Sequence, residues 1–236
     1  MVREYGRNGI IQAFAGYLGG YILLQILLLG AYSLYMRSQN IVVTNDMIIE
    51  LTIVSTFVAS FVTLGFYVLF FRHILRYDFF RFTKSAESIR YVFAGFAGLY
   101  LVNLAVSLIY SFFQIEGTSL NQDLVQTLLT QQPVLMALPV VVFVPFIEEV
   151  LFRGVIYEVL SQRLSIVVSV ILVNVIFALL HVSDIGSLIF MPVYFLLGVV
   201  LSTIYLWSGK NIWVSILAHS MHNLLSVVLI LFLMGG

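Results

Sequence analysis

Acidic and basic side chains interrupt a long apolar part of this chain. The stretch PFIEEVLFRGVIYEVL, residues 145–160, carries Glu148, Glu149 and Arg153, followed by Glu158. Charged side chains are costly inside a bilayer, so they are rare there and usually face a protein interior or a wet cavity. Residues four apart share one face of a helix, so Glu149 and Arg153 can pair, whereas Glu148 points about 100° away. Glu148 is therefore free to serve a cavity.

Histidine and amide side chains interrupt two later apolar runs. His181 ends the run FALLH, which starts at Phe177, and the run AHSMHN carries His219, His222 and Asn223. His219 and Asn223 are four apart, so both can reach one point in a cavity. Taken alone, His181 can be an interfacial residue, and the His219/Asn223 pair can be a hydrogen-bonding device between helices.

Helix geometry predicts that these side chains converge. The short SQR link makes the spans of Glu148 and His181 antiparallel neighbours, and both residues lie roughly 20–28 Å from that turn at a rise of 1.5 Å per residue. From the SGKN turn on the same side, Asn223 rises to roughly 20 Å and His219 to roughly 14 Å. A carboxylate, imidazoles and an amide at one depth can activate water, either by general base catalysis or through a metal.

The composition requires that these groups be positioned by helices in a membrane. Hydrophobic residues make up 61% of the 236 residues and charged residues 9%, and the mean hydropathy is +1.08, whereas a soluble domain is about a quarter charged. The chain has no cysteine, which excludes disulfides, thiolate metal sites and a cysteine nucleophile. A net charge of zero gives no electrostatic case for nucleic acid. We predict an all-α, polytopic transmembrane helical bundle.

About seven apolar segments approach the roughly 20 residues that a spanning helix needs. The predicted spans are Ile10–Met36, Met47–Phe71, Tyr91–Phe113, Val134–Leu160, Leu164–His181, Leu188–Trp207 and Ile212–Met234. Pro133, Pro139 and Pro145 predict that the fourth span is kinked or split. The polar segment 121–132 with its Leu/Val stripe is typical of an interfacial helix.

The loop charges predict an orientation, because positively charged loops stay in the cytoplasm. The loop RHILRYDFFRFTKSAESIR holds five basic residues, and placing it inside also places Arg3, Arg7, Arg163 and Lys210 inside. The segments QIEGTSLNQD and SDIG then lie outside, and Arg37 is the exception. We therefore expect the N-terminus in the cytoplasm and the C-terminus outside, in what we expect to be a bacterial cell membrane.

At its charged residues the chain resembles the CPBP (CAAX protease/bacteriocin-processing, Abi) family of intramembrane proteases. The shared motifs are EExxxR at Glu148, Glu149 and Arg153, FxxxH at Phe177 and His181, and HxxxN at His219 and Asn223. The glycine-bearing segment YFLLGVVLSTIYLWSGKNIW before the last motif also fits. Three motifs in this order are specific, and they divide the chain into N-terminal helices of unassigned role, residues 1–132, and a catalytic core, residues 133–236.

The resemblance implies an intramembrane endopeptidase in which Glu148 and His181 activate the attacking water. His219 and Asn223 would stabilise the oxyanion, while Glu149 and Arg153 would hold the helix in place. The implied site therefore comprises the catalytic residues Glu148, His181, His219 and Asn223 and the supporting residues Glu149, Arg153 and Phe177. His222 is an addition beside the last motif; we count it as a supporting residue, and it makes a fourth metal ligand conceivable. The substrate would be a membrane-embedded or lipid-anchored peptide.

The role of a metal and two other functions stay open. No HExxH helix is present, so Glu148, His181 and His219 could be ligands of a divalent metal such as zinc or a metal-free acid/base set. A non-catalytic membrane scaffold or bacteriocin-immunity factor of the same fold is one alternative, although a scaffold has no physical need for so many ionisable groups in lipid. An ion-coupled transporter is the other, and the inverted repeats that would favour it are absent from the sequence.

Overall fold

The computed structural model describes residues 7–182 and 184–234. Within these residues the chain is helical and has no β-strand, so the predicted all-α class is confirmed. The helices are α1 (residues 7–38), α2 (Asn45–Lys84), α3 (Ala86–Phe112), α4 (Leu120–Gln131), α5 (Pro133–Leu160), α6 (Ile166–Leu180), α7 (Met191–Trp207) and α8 (Ile212–Met234). A 3₁₀ turn, Gly186–Phe190, leads into α7.

Six helices in the described part of the chain are long and apolar enough to cross a membrane: α1, α2, α3, α5, α8, and α7 together with its leading turn. The fifth predicted span, Leu164–His181, is instead the 15-residue helix α6. At 1.5 Å per residue α6 is about 22 Å long, which is shorter than the ~30 Å core of a bilayer. His181, which follows the last residue of α6, therefore stays within the bundle.

The helix α5 is the centre of the bundle. Residues 145–158 are all buried, and they pack in a large apolar cluster with side chains of α1, α2, α6, α7 and α8. A helix that is apolar all round is typical of a fully buried position. The acids of α5 therefore lie in a protein interior and not against lipid.

The prolines of α5 do not split it. Pro133–Leu160 is one helical run that contains the π-helical segments Pro139–Phe143 and Val150–Tyr157. Pro133 begins the helix, where a missing N–H is tolerated. Pro139 begins the first π segment, and Pro145 lies two residues beyond its end. Such segments occur frequently at functional sites.

The loops predicted to be cytoplasmic meet at one end of the bundle, which we call the basic end. The helix α2 has 40 residues, so it extends about 60 Å. Near its C-terminus Arg81 donates a hydrogen bond to the Gly209 carbonyl at 3.1 Å, and Asp78 accepts one from the N–H of Ile212 at 3.1 Å. The grouping of these loops agrees with the predicted topology, while the side of the membrane on which they lie stays a prediction.

The predicted interfacial segment is the helix α4 at the opposite end. Ser119 caps it by accepting from the N–H of Gln122 at 3.3 Å, and Leu128 and Leu129 are buried against α2, α5 and α8. The Ser119 hydroxyl also hydrogen bonds to the Tyr194 hydroxyl on α7 at 2.6 Å. The helix α4 is thus packed onto the bundle.

Candidate active site

The charged pair of α5 forms a buried hydrogen-bonded network. Arg153 donates to Oε1 of Glu149 at 3.1 Å, and both side chains have no solvent exposure. The guanidinium also donates to Oδ1 of Asn174 at 3.1 Å and to the Gly198 carbonyl at 2.8 Å, and it lies 5.1 Å from the ring centre of Phe177. Because a buried charge is costly unless it is paired and hydrogen-bonded, this network fixes the positions of α5, α6 and α7 relative to one another.

Asn174 and Gly198 belong to this network and have no place in the sequence-based site. A Cβ atom on Gly198 would lie 2.5 Å from Oδ1 of Asn174, so only glycine allows α7 to pass so close to α6. The Asn174 amide also donates to the Ser202 hydroxyl at 3.0 Å. An isolated asparagine in ILVNVIF and a glycine in FLLGVV were the available sequence signals.

Glu148 faces the other way, toward two imidazoles. Its Oε1 lies 3.7 Å from Nε2 of His181, and its Oε2 lies 3.9 Å from Nε2 of His219. A polar contact beyond 3.5 Å has room for a bridging water. The structure therefore brings together a carboxylate and two imidazole nitrogens that can hold one small reactant between them.

The ring of His181 is fixed from three sides. Its Nδ1 lies 2.8 Å from the carbonyl oxygen of Phe177, one turn earlier on α6, so Nδ1 carries the proton and donates. The ring stacks on Tyr194 with centroids 4.8 Å apart and lies against the Phe177 ring with centroids 4.4 Å apart. Its Nε2 faces Glu148, and in the neutral ring this nitrogen carries the lone pair.

His219 connects the two acids of α5. Its Nδ1 lies 3.0 Å from Oε1 of Glu149, the oxygen that also contacts Arg153, while its Nε2 faces Glu148. The side chain is 11% exposed. His219 therefore couples the structural network to the open side of the site.

Asn223 is anchored on α5 through a carbonyl that the π segment leaves free. In an α-helix the carbonyl of Val140 would accept from the N–H of Val144, but that N–H bonds to Pro139 instead. In the π-helical register the partner would be Pro145, which has no N–H. Asn223 satisfies this carbonyl, because its Nδ2 donates a hydrogen bond to the Val140 oxygen at 2.9 Å.

His222 lies beside Asn223 and contacts the N-terminal half of the chain. Its Nδ1 is 3.4 Å from Oδ1 of Asn223, and its Nε2 is 2.7 Å from Nδ2 of Asn103 on α3. The sequence left residues 1–132 without an assigned role, and Asn103 was missed. The available signal was one amide within the apolar run LYLVNLAVSL.

A cavity of about 640 Å³ connects these residues to the end of the bundle that carries α4. Glu148, His181, His219 and Asn223 line it at depth. Its other polar lining residues include Tyr17, Tyr21, Asn103, Ser119, Gln122, Gln126 and Tyr194. The side chain of Glu148 is 10% exposed, so the cavity offers a limited approach to the carboxylate from the end opposite the basic one.

Glu158, the remaining acid of α5, lies outside this cavity lining. Its Oε1 accepts from the Tyr205 hydroxyl at 2.8 Å, and its Oε2 pairs with Lys210 at 3.0 Å. These contacts place Glu158 at the basic end, where the loops of α2 and α8 meet. The sequence grouped it with the other charged residues of the span, and the structure separates it from them.

The metal prediction concerns Glu148, His181 and His219. The two imidazole nitrogens face different oxygens of Glu148 across 3.7 and 3.9 Å, whereas zinc holds such ligands at about 2.0–2.2 Å in a tetrahedral arrangement that brings the donors closer together. Across residues 7–182 and 184–234, no group of three His, Cys, Asp or Glu side chains is placed to hold a metal ion. A metal role would require these side chains to move together, and it stays a prediction.

We compared the sequence with models of known protein families. Residues 130–225 match the family model described as type II CAAX prenyl endopeptidase Rce1-like. The predicted family resemblance is confirmed. The matched range holds every residue of the three CPBP motifs, whereas Asn103 lies outside it. No solved structure gives a significant match to this chain.

A curated relative supports the same family resemblance. "Putative membrane peptidase YdiL" of Bacillus subtilis (strain 168) is 29% identical over 143 residues, which are 60% of this chain and 56% of the relative. The chain therefore spans a little more than half the length of that relative. The family-model match, residues 130–225, covers the part of the chain that carries the motifs.

Proposed function

We propose that this chain is a membrane peptidase that hydrolyses peptide bonds of membrane-embedded or lipid-anchored peptides with a water activated by Glu148 and His181. The observation that carries the proposal is the Glu148 carboxylate, which faces the Nε2 atoms of His181 and His219 at 3.7 and 3.9 Å on the wall of a cavity. The match to a prenyl endopeptidase family model and the name of the relative support a peptidase at the family level.

The base in this proposal is Glu148 together with His181. Nδ1 of His181 donates to the Phe177 carbonyl at 2.8 Å, so in the neutral ring the lone pair lies on Nε2, where it can accept from a water that Glu148 also contacts. General base catalysis requires the base within hydrogen-bond reach of the proton that it accepts, directly or through one water. A single water between the two groups satisfies this requirement.

The electrophilic side of the site is His219. Glu148 and Glu149 bring two negative charges into the interior, while Arg153 brings one positive charge, so a protonated His219 makes the cluster neutral. Its Nδ1–H then donates to Glu149, and its Nε2–H points to the cavity. In this state His219 can stabilise the negative oxygen that forms when water attacks a carbonyl.

The second oxyanion donor is Asn223. One hydrogen of its Nδ2 is committed to Val140 at 2.9 Å, and the other is available to the cavity that Asn223 lines. Donors that are held in place before the reaction need no reorganisation when charge develops. The anchoring of Asn223 on α5 supplies this rigidity.

The reaction proceeds in two proton transfers. Glu148, with His181, takes a proton as the water oxygen bonds to the carbonyl carbon, and the carbonyl oxygen becomes the oxyanion held by His219 and Asn223. The C–N bond then breaks, and the proton passes from Glu148 to the leaving nitrogen. One water and one peptide bond thus give a carboxylic acid and an amine.

The substrate would enter from the end that carries α4. The cavity connects Glu148 to Ser119, Gln122 and Gln126 there, and amide and hydroxyl groups can hydrogen bond to an unpaired peptide backbone. If the loop charges set the orientation as predicted, this end faces the outside of the cell membrane. The site would then act on peptides that reach it from that side.

The test compares membrane peptides from host cells that express wild type, Glu148→Gln or the exposed control Glu87→Gln. The proposal expects new peptide termini in wild type and Glu87→Gln but not in Glu148→Gln. Digestion by purified enzyme in ¹⁸O-labelled water should place the label in each new carboxyl group. Identical peptide profiles for wild type and folded Glu148→Gln would favour a scaffold or immunity factor instead.

A further inference from the structure

We infer that Asn103 of α3 is a positioning residue for Asn223 and acts on it through His222. Hydrogen bonds link Asn103 to His222, His222 to Asn223, and Asn223 to the Val140 carbonyl, with lengths of 2.7, 3.4 and 2.9 Å. This relay joins α3, α8 and α5. It gives the N-terminal helices a part in the site, and it rests on the proposed role of Asn223 as an oxyanion donor.

The atoms of the relay define a single direction. Nδ2 of Asn103 is a donor, so Nε2 of His222 must accept and the ring must carry its proton on Nδ1. Nδ1–H then donates to Oδ1 of Asn223, and Nδ2 of Asn223 donates to Val140. Each of the three hydrogen bonds thus pairs one donor with one acceptor.

The relay determines which way the Asn223 amide faces. An asparagine amide offers an oxygen acceptor on one side and a nitrogen donor on the other, and a flipped amide would turn its oxygen toward the Val140 carbonyl. The proton on Nδ1 of His222 holds the oxygen of Asn223 away from that position. The second N–H of Asn223 is thereby kept available to a developing oxyanion, and the identity of residue 103 selects this arrangement.

The burial of the relay residues and the cavity that they share support a positioning role. His222 is 9% exposed, and Asn103, His222 and Asn223 all line the same cavity. The Val140 carbonyl accepts Asn223 because Pro145 has no N–H to offer it. Three elements separated in sequence therefore supply complementary groups to one line of hydrogen bonds.

The decisive experiment changes the donor at position 103 into an acceptor. Asn103→Asp has nearly the same size but can only accept when ionised, so His222 should turn its proton to Nε2. Protein labelled with ¹⁵N-histidine reports this directly, because the two ring nitrogens of each neutral tautomer have distinct NMR shifts. His222→Asn identifies the His222 signals, and the signals of His181 and His219 are internal controls.

We expect His222 to carry its proton on Nδ1 in wild type and on Nε2 in Asn103→Asp, with the signals of the other two rings unchanged. On a reconstituted peptide cleaved by wild type, kcat should fall roughly 100-fold, the scale of losing one oxyanion donor, with KM little changed. Asn103→Leu, which removes the donor without adding charge, should lower kcat in the same way and leave His222 as a mixture of tautomers.

The possible failures are separable. An unchanged His222 tautomer in both variants would overturn the relay, whatever the activity of the protein. A switched tautomer with wild-type kcat would overturn the claim that the relay positions Asn223 for catalysis. If wild type cleaves no peptide at all, the proposed function fails, while the tautomer measurement still decides whether Asn103 sets the state of His222.

Discussion

Oε1 of Glu149 lies 3.0 Å from Nδ1 of His219. The neighbouring acid, Glu148, faces the opposite nitrogen of the same ring at 3.9 Å. Two consecutive carboxylates therefore act on one imidazole from opposite sides. Glu149 pairs with Arg153, whereas Glu148 faces the cavity. The two adjacent acids of the motif therefore have different surroundings.

We predict that Arg153→Ala is destabilising chiefly because it leaves Glu149 uncompensated. Removing one partner of a buried ion pair costs about 3–5 kcal/mol, and Arg153 also satisfies Asn174 and the Gly198 carbonyl. The double variant Glu149→Gln with Arg153→Gln removes both charges and should be more stable than Arg153→Ala. Thermal unfolding in detergent makes the comparison, and a double variant less stable than Arg153→Ala would contradict the pairing account.

We predict that Gly198→Ala loosens the contact between α6 and α7. The new Cβ would lie 2.5 Å from Oδ1 of Asn174, and overpacking of this kind costs about 1–3 kcal/mol. Gly65→Ala on α2 is the matched control, because a Cβ there meets no atom within 4 Å. Thermal unfolding should show a lower midpoint for Gly198→Ala alone. Equal midpoints for the two variants would mean that the close approach carries no constraint.

We predict that the metal content of the purified protein does not depend on His181 or His219. The Nε2 atoms of His181 and His219 lie 3.7 and 3.9 Å from the Glu148 oxygens, and residues 7–182 and 184–234 contain no group of three His, Cys, Asp or Glu side chains placed to hold a metal ion. Elemental analysis of wild type beside His181→Ala and His219→Ala should give equal values, and cleavage should persist in strong chelators. One ion per wild-type chain that is lost in both variants would instead establish these histidines as its ligands.

The sequence predicted the helical architecture because every apolar segment must satisfy its backbone hydrogen bonds within a helix. It predicted neither the short helix α6 nor the continuity of α5. Apolar flanking residues made α6 resemble a full span, and the prolines of α5 are accommodated by π-helical hydrogen bonding that a pattern of residue types does not encode.

Part of the site also followed from the spacing of residues. Helical periodicity predicted that Glu149 could pair with Arg153, and the turns predicted that Glu148, His181 and His219 lie at a common depth. Asn103, Asn174 and Tyr194 could not be found in this way, because each reaches the site from a neighbouring helix whose rotation is set by packing. Single polar residues in apolar runs were the only sequence signal.

The central claim is that Glu148, and not Glu149, accepts the proton of the attacking water. Glu148→Gln keeps the size of the side chain but cannot take a proton, so we expect normal folding and a loss of about 100-fold or more in rate. His181→Ala should resemble it, and the two losses should not add, because both groups act on one water.

The most direct measurement is single-turnover cleavage of a reconstituted membrane peptide by wild type, Glu148→Gln, His181→Ala and the double variant, each verified as folded by size-exclusion chromatography. We predict that wild type cleaves and that the three variants show similarly low rates. Near-wild-type cleavage by folded Glu148→Gln would contradict the proposed mechanism.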